Sequence, residues 1–206
     1  MLRTISLLSL AVLVTLFSTL PVHAQWVQMN GPSGGYIRAI TTSGSNFYAA
    51  VDSARHGGFG IFRSTNNGGS WSAKNNGLTN TYVWALAIIG TNLFAGTYGG
   101  GVFLSTDSGD TWTAANNGLS NTTVQALEVN GSNLFAGTLG GVFLSTNNGT
   151  SWDSVTNGDI VCLKAARTNL FAGTYGQGVL ISSNNGMSWT EDTTGLTNNN
   201  VYALAV

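Results

Sequence analysis

The sequence predicts an all-β chain, a β-propeller of four-stranded antiparallel blades. Four complete repeats stand between partial blade strands at both ends. Three observations predict this. The octapeptide Ser-x-Asp/Asn-x-Gly-x-Ser/Thr-Trp occurs four times, ending at Trp71, Trp112, Trp152 and Trp189. These tryptophans are 41, 40 and 37 residues apart, so one supersecondary unit repeats about every forty residues. Between the octapeptides lie runs of four to six residues rich in Val, Leu, Phe and Ala, bounded by Gly, Asn, Thr and Ser. That is the pattern of short strands, and no capped helical period competes with it.

Residues 1–24 read as a secretory signal. Arg3 supplies the positive end, Ile5 to Leu20 is a mostly apolar run, and Val22-His23-Ala24 closes it with small residues on either side of His23. Cleavage after Ala24 leaves an exported domain over residues 25–206. No second apolar run of spanning length follows, so no membrane span is expected after cleavage.

The composition narrows the partners. Seven Lys+Arg against eight Asp+Glu give a net charge of -1, with 7% of residues charged. Nothing there builds the basic face that nucleic acid requires. Cys162 is the single cysteine, which excludes an internal disulfide. It aligns with Ala39, Ala85, Ala126 and Ala203, and so reads as a small packed residue.

In the mature chain, Trp26 to Gly31 echoes Trp71 to Gly77 and opens an orphan fourth strand. Each repeat then has a first run such as Val83 to Ile88, with counterparts at Ile37, Val124, Ile160 and Val201. The second run, Asn92 to Thr97, recurs letter for letter at Asn133 to Thr138 and Asn169 to Thr174. Asn46 to Val51 is its looser copy. The third run enters the octapeptide and the tryptophan begins the fourth. First runs are nearly continuous in apolar residues, as expected where both faces of a blade pack on neighbours. The orphan fourth strand at Trp26 and orphan first strand at Asn200 to Val206 predict a piece of a larger propeller. A strained ring of five is the alternative.

Each octapeptide carries the chemistry of a self-bonded turn. The four sets are Ser64, Asn66, Gly68 and Trp71; Ser105, Asp107, Gly109 and Trp112; Ser145, Asn147, Gly149 and Trp152; and Ser182, Asn184, Gly186 and Trp189. The Asp or Asn accepts turn amides, the Gly takes positive φ, the hydroxyl bonds within the turn, and the Trp buries a large face. Asp107, Gly109 and Asp110 look like part of a calcium loop, yet the other three copies place Asn at the Asp107 position. Calcium favours several carboxylates among six to eight oxygens, so no metal or cofactor is expected.

The octapeptide resembles the Asp-box, or BNR, repeat. The resemblance covers all four repeats. It extends to sialidases, sortilin-type receptors, xyloglucan-degrading glycosidases and photosystem II assembly factors, and it implies the fold more than any one activity. A sialidase would need an arginine cluster, a Tyr nucleophile and acid/base carboxylates. Of the mature arginines Arg38, Arg55, Arg63 and Arg167, Arg63 occurs as Phe62-Arg63-Ser64-Thr65 and not in that family's Arg-Ile-Pro setting, and neither Glu128 nor Glu191 has a family setting. In the xyloglucan-degrading enzymes a catalytic Asp follows the second strand of the first blade, where this chain has Asp52. The surrounding motif is missing, and so is a partner carboxylate. The predicted function is therefore an exported, non-catalytic surface for a protein or glycan. A glycan-active enzyme using Asp52 is the alternative.

Two places break the repeat. The first blade carries an insertion, Asp52 to Phe59, with Arg55 and His56: Ala49 to Ser64 is 15 residues where Ala95 to Ser105 is 10. A loop that concentrates ionisable groups is a recognition candidate. The first strands also share one variable position, held by Arg38, Trp84, Gln125, Val161 and Tyr202. Tyr98 and Tyr175 lie in the short turns of the same end. The binding set predicted from sequence is Asp52, Arg55, His56, Arg38, Trp84, Tyr98 and Tyr175.

Overall fold

The computed structural model describes residue 31, residues 35–53 and residues 58–205. It holds four sheets, each a meander of four antiparallel strands. The first blade is β1 (Tyr36–Ser43), β2 (Asn46–Asp52), β3 (Gly58–Ser64) and β4 (Ser72–Ala73), and the second is β5 (Val83–Ile89), β6 (Asn92–Thr97), β7 (Gly101–Ser105) and β8 (Thr113–Ala114). The third is β9 (Val124–Asn130), β10 (Asn133–Thr138), β11 (Gly141–Ser145) and β12 (Asp153–Thr156), and the fourth is β13 (Ile160–Ala166), β14 (Asn169–Thr174), β15 (Val179–Ser182) and β16 (Thr190–Asp192). This is the predicted all-β propeller architecture. No helix among the described residues is long and apolar enough to cross a membrane. The signal segment and Trp26 lie outside the described residues.

The core is a set of layers between blades. One layer joins Tyr48, Ala50, Ile61 and Leu78 of the first blade to Val83, Leu93, Phe103 and Trp112 of the second. The next joins Phe94 and Leu119 to Val124, Phe143 and Trp152, and a third joins Phe135 and Val142 to Ile160 and Leu170. Second strands such as Asn92-Leu-Phe-Ala-Gly-Thr97 are therefore buried on both faces, which is why their sequence is apolar without alternation.

The Asp-box turns are built alike. In the first, Ser64 Oγ donates to Asn66 Oδ1 at 2.9 Å and accepts the Gly68 amide at 2.8 Å, while Asn66 Oδ1 accepts the Ser70 amide at 2.9 Å. The other three repeat this with Ser105/Asp107/Gly109, Ser145/Asn147/Gly149 and Ser182/Asn184/Gly186. The box glycine has a second duty. Its φ lies in the left-handed region, and it lets the turn press on an aromatic ring of the preceding blade. Gly149 faces Phe94, and Gly186 faces Phe135.

Asp107 is the one carboxylate at the acceptor position. The Thr111 hydroxyl and amide, then the Ser105 hydroxyl, hold it down to about 2 from an ordinary 3.8. Lys74 of the preceding blade bonds Asp110 beside it and lowers that carboxyl too.

The four tryptophans differ where equivalent burial was expected. Trp112 and Trp152 are 3% exposed. Their indoles donate across the blade boundary, to the Lys74 and Ala115 carbonyls at 2.8 Å, and their amides to the Asn76 and Asn117 carbonyls at 2.9 Å. Trp71 and Trp189 are half-buried and donate within their own turns, to Gly68 and Gly186. For Trp189 the cause is a short connection. Trp152 to Ile160 is 8 residues, where Trp71 to Val83 is 12. The missing residues correspond to Leu78 to Thr81, so no leucine stands where Leu78 packs with Trp112.

Candidate binding site

Antiparallel pairing sends the Asp-box turns to one end of every blade and the β2–β3, β6–β7, β10–β11 and β14–β15 turns to the other. In the first blade Ser64 pairs with Phe47 at the box end, while Asp52 pairs with Tyr36 and Gly58 at the far end. The variable residues of the first strands lie at that far end.

A β-bulge places each of them. The register of β1 on β2 skips Arg38, that of β5 on β6 skips Trp84, that of β9 on β10 skips Gln125, and that of β13 on β14 skips Val161. A bulge leaves one residue out of the ladder and re-aims its side chain. Beyond β13–β16 the chain repeats the approach: Asn200 bridges to Tyr175, the Val201 amide donates to the Thr174 carbonyl at 2.8 Å, and Tyr202 follows. Five first-strand positions thus converge on one cavity of ≈ 460 Å³ at the channel mouth, which Asp159 and Tyr175 also line.

The mouth has two halves. On one side Tyr82, Trp84 and Tyr98 form a cluster with ring centroids 4.9 to 5.5 Å apart. The Arg38 guanidinium stands 5.6 Å from the Trp84 ring, a cation–π contact. Arg38 Nε and Nη2 both donate to Asp52 Oδ2, at 3.0 and 2.7 Å. Asp52 occupies the place that Tyr98, Leu139 and Tyr175 hold in the other blades, and it is 1% exposed. Its Oδ1 and the Trp84 indole nitrogen are buried without a partner among the described residues. On the other side Gln125 Nε2 donates to Asp159 Oδ1 at 2.7 Å. Tyr175 and Tyr202 meet there at 6.5 Å with their rings 67° apart.

Of the binding set expected from sequence, Arg38, Trp84 and Tyr175 line the cavity, and Tyr98 stacks behind Trp84. Asp52 is drawn in as the anchor of Arg38 and is absent from the lining. Arg55 and His56 lie outside the described residues. Sequence reasoning did not single out Asp159. Its signal was the 37-residue spacing, because the four-residue shortening that uncovers Trp189 also carries Asp159 to the position of Tyr82. No group of three or more His, Cys, Asp or Glu side chains among the described residues could hold a metal. Cys162 is half-buried, its Sγ is 3.7 Å from the Val201 carbonyl, and burial pushes its thiol pKa up.

A second cavity, of ≈ 380 Å³, lies on the outer face of the fourth blade against Phe171, Val179, Ile181 and Leu196. Phe171 there holds the place of Phe94 and Phe135, the rings that receive the next blade's glycine. That cavity belongs to the blade-packing surface. The clustered aromatic and polar side chains are at the mouth.

The family model of the DUF6242 beta propeller domain matches residues 91–204. The chain belongs to the DUF6242 beta propeller family. Among solved structures, it is similar to the extracellular domain of BT4673 from B. thetaiotaomicron, with a TM-score of 0.67 and 17% identity, over 86% of this chain and 25% of that one. An ancestral GH74 enzyme gives a TM-score of 0.60 and 23% identity, over 82% of this chain and 25% of the enzyme. YCF48 bound to D1 peptide gives 0.54 and 17%, over 85% of this chain and 58% of YCF48. These likenesses show the fold. The family member described here spans a quarter of the length of the first two. No curated protein sequence matches it.

Proposed function

We propose that residues 25–206 form an exported, non-catalytic propeller domain that binds a protein or glycan at its channel mouth. One observation carries this reading. The residues that vary from repeat to repeat sit on bulges that turn them into a single cavity, while the surrounding framework stays constant. Variation confined to one converging set is what a scaffold with a grafted site looks like.

Other observations support parts of it. YCF48 has been solved with a peptide bound, and similar domains of B. thetaiotaomicron are extracellular. The likeness to GH74 enzymes keeps the glycan-active alternative in view. Against it stands Asp52, which is buried and engaged through Oδ2 by Arg38, where a glycosidase carboxylate must reach the scissile bond.

The test is to screen mature protein on peptide and glycan arrays beside Trp84→Ala and Asp52→Ala variants. The proposal expects binding that Trp84→Ala removes and no release of reducing sugar from glycans. Binding indifferent to Trp84, or hydrolysis abolished by Asp52→Ala, contradicts it. N-terminal sequencing of exported protein should return Gln25 as the first residue.

A further inference from the structure

The two halves of the mouth share a chemical plan with one part missing from the second. On the first, a carboxylate (Asp52), an aromatic ring (Trp84) and a cation (Arg38) complete one another within the chain. The second brings a carboxylate, Asp159, to two aromatic rings, Tyr175 and Tyr202. Arg38 is the only cation lining the mouth among the described residues, and it is already committed. Lys74 and Arg63 engage Asp110, and Lys164 engages Glu128.

Resting on the reading of the mouth as the binding site, we propose that the Asp159–Tyr175–Tyr202 corner receives an alkylammonium group, presented by a lysine side chain of a partner peptide. The rings are 57% and 65% exposed, so their faces are open to a ligand. With centroids 6.5 Å apart, a single cation between them lies within the ~6 Å range of both. The 67° angle makes a corner, which suits a compact ammonium better than a flat guanidinium. Asp159 Oδ1 already takes the Gln125 amide, and Oδ2 makes no hydrogen bond among the described residues. One open acceptor fits a point charge, whereas arginine is best matched by both oxygens. The cavity of ≈ 460 Å³ is far larger than one ammonium group and continues to the Trp84 platform, which gives a peptide main chain room to cross it.

The experiment titrates mature protein with three probes. They are acetylated and amidated Gly-Gly-Lys-Gly-Gly, its norleucine counterpart, and choline, followed by the amide and ring NMR shifts of Tyr175 and Tyr202. The lysine peptide should bind about tenfold more tightly than the norleucine peptide, and choline more weakly than the lysine peptide. Asp159→Asn and Tyr202→Ala should each weaken lysine-peptide binding about tenfold, and Tyr202→Phe should restore it. Equal binding of the norleucine peptide, or no shift with lysine, overturns the proposal. Choline binding as tightly as the peptide overturns the peptide source. If array ligands still depend on Trp84 when lysine fails, the mouth remains the binding site and only the ammonium assignment falls.

Discussion

At the box end of the blades, four turns carry the same hydrogen bonds between the same atoms: serine hydroxyl to acceptor oxygen, glycine amide to serine, and a hydroxyl residue's amide to the acceptor. At the mouth end, equivalent positions hold Arg38, Trp84, Gln125, Val161 and Tyr202: a cation, an amide, an aliphatic side chain and two different aromatic rings. The backbone is as regular at the mouth as at the boxes, since all four first strands bulge at that point. The difference teaches that repetition here fixes where side chains point and leaves what they are free to vary. The box end holds blades together, and the mouth end is where we propose that the chain addresses a ligand.

The largest effect that can break this comparison lies among the tryptophans. Trp112→Ala and Trp152→Ala each remove a buried ring and a cross-blade hydrogen bond, and should destabilise the fold by about 3–5 kcal/mol in denaturant unfolding. Trp189→Ala removes a half-buried ring bonded within its own turn, and about 1–2 kcal/mol is expected. Equal losses at the three sites would mean that the cross-blade contacts contribute little.

A smaller effect separates the first blade from the others at the mouth. Arg38→Ala leaves the buried Asp52 carboxylate without its partner. Because Arg38 is 44% exposed, the expected destabilisation is reduced from that of a fully buried pair to about 1–2 kcal/mol. Asp52→Asn keeps the shape of the side chain and an oxygen that can accept from Arg38, and should change stability by less than about 1 kcal/mol. If Asp52→Asn proves the more damaging of the two, the ion pair is structural and does not serve to place Arg38.

The box end has one internal asymmetry that pH can sharpen. Asp107 titrates at about 2 in the folded chain against an ordinary 3.8, so its ionised form is favoured by folding. That contribution is fully present above pH 3.8, and it is lost as pH falls through about 2. The Asn66, Asn147 and Asn184 turns have no such dependence. Asp107→Asn should flatten the part of the acid unfolding curve between those values that belongs to this turn. An unchanged curve would show that the Thr111 and Ser105 bonds do not favour the charged form.

Much of the fold could be read from the sequence because the repeats state it four times. Strand count, the order of strands in each blade and the turn chemistry of Ser64 or Asp107 follow from spacing and residue type. The bulges were less legible. Nothing in Val83-Trp84-Ala85 marks Trp84 as unpaired, since a bulge is a register shift between two strands. Only the mismatch of one variable position among constant neighbours pointed to it. Asp159 was hidden for a different reason: its neighbours Gly158 and Ile160 look ordinary, and the information lies in four residues that are not there. The unequal burial of Trp189 has the same origin, because its cover belongs to the preceding blade's connection and not to its own octapeptide.

The comparison between the two ends is tested most directly by one pair of variants on one ligand. Tyr175→Ala/Tyr202→Ala clears exposed rings from the mouth, and Met187→Ala clears a 72% exposed side chain from the fourth box turn. Both should leave the melting temperature nearly unchanged, as exposed substitutions do. Affinity for a ligand recovered from the peptide or glycan arrays, measured by calorimetry, should fall at least tenfold in the tyrosine double variant and stay at the parent value in Met187→Ala. The reverse result, with affinity lost at Met187 and kept without Tyr175 and Tyr202, would place recognition at the box end and contradict the account.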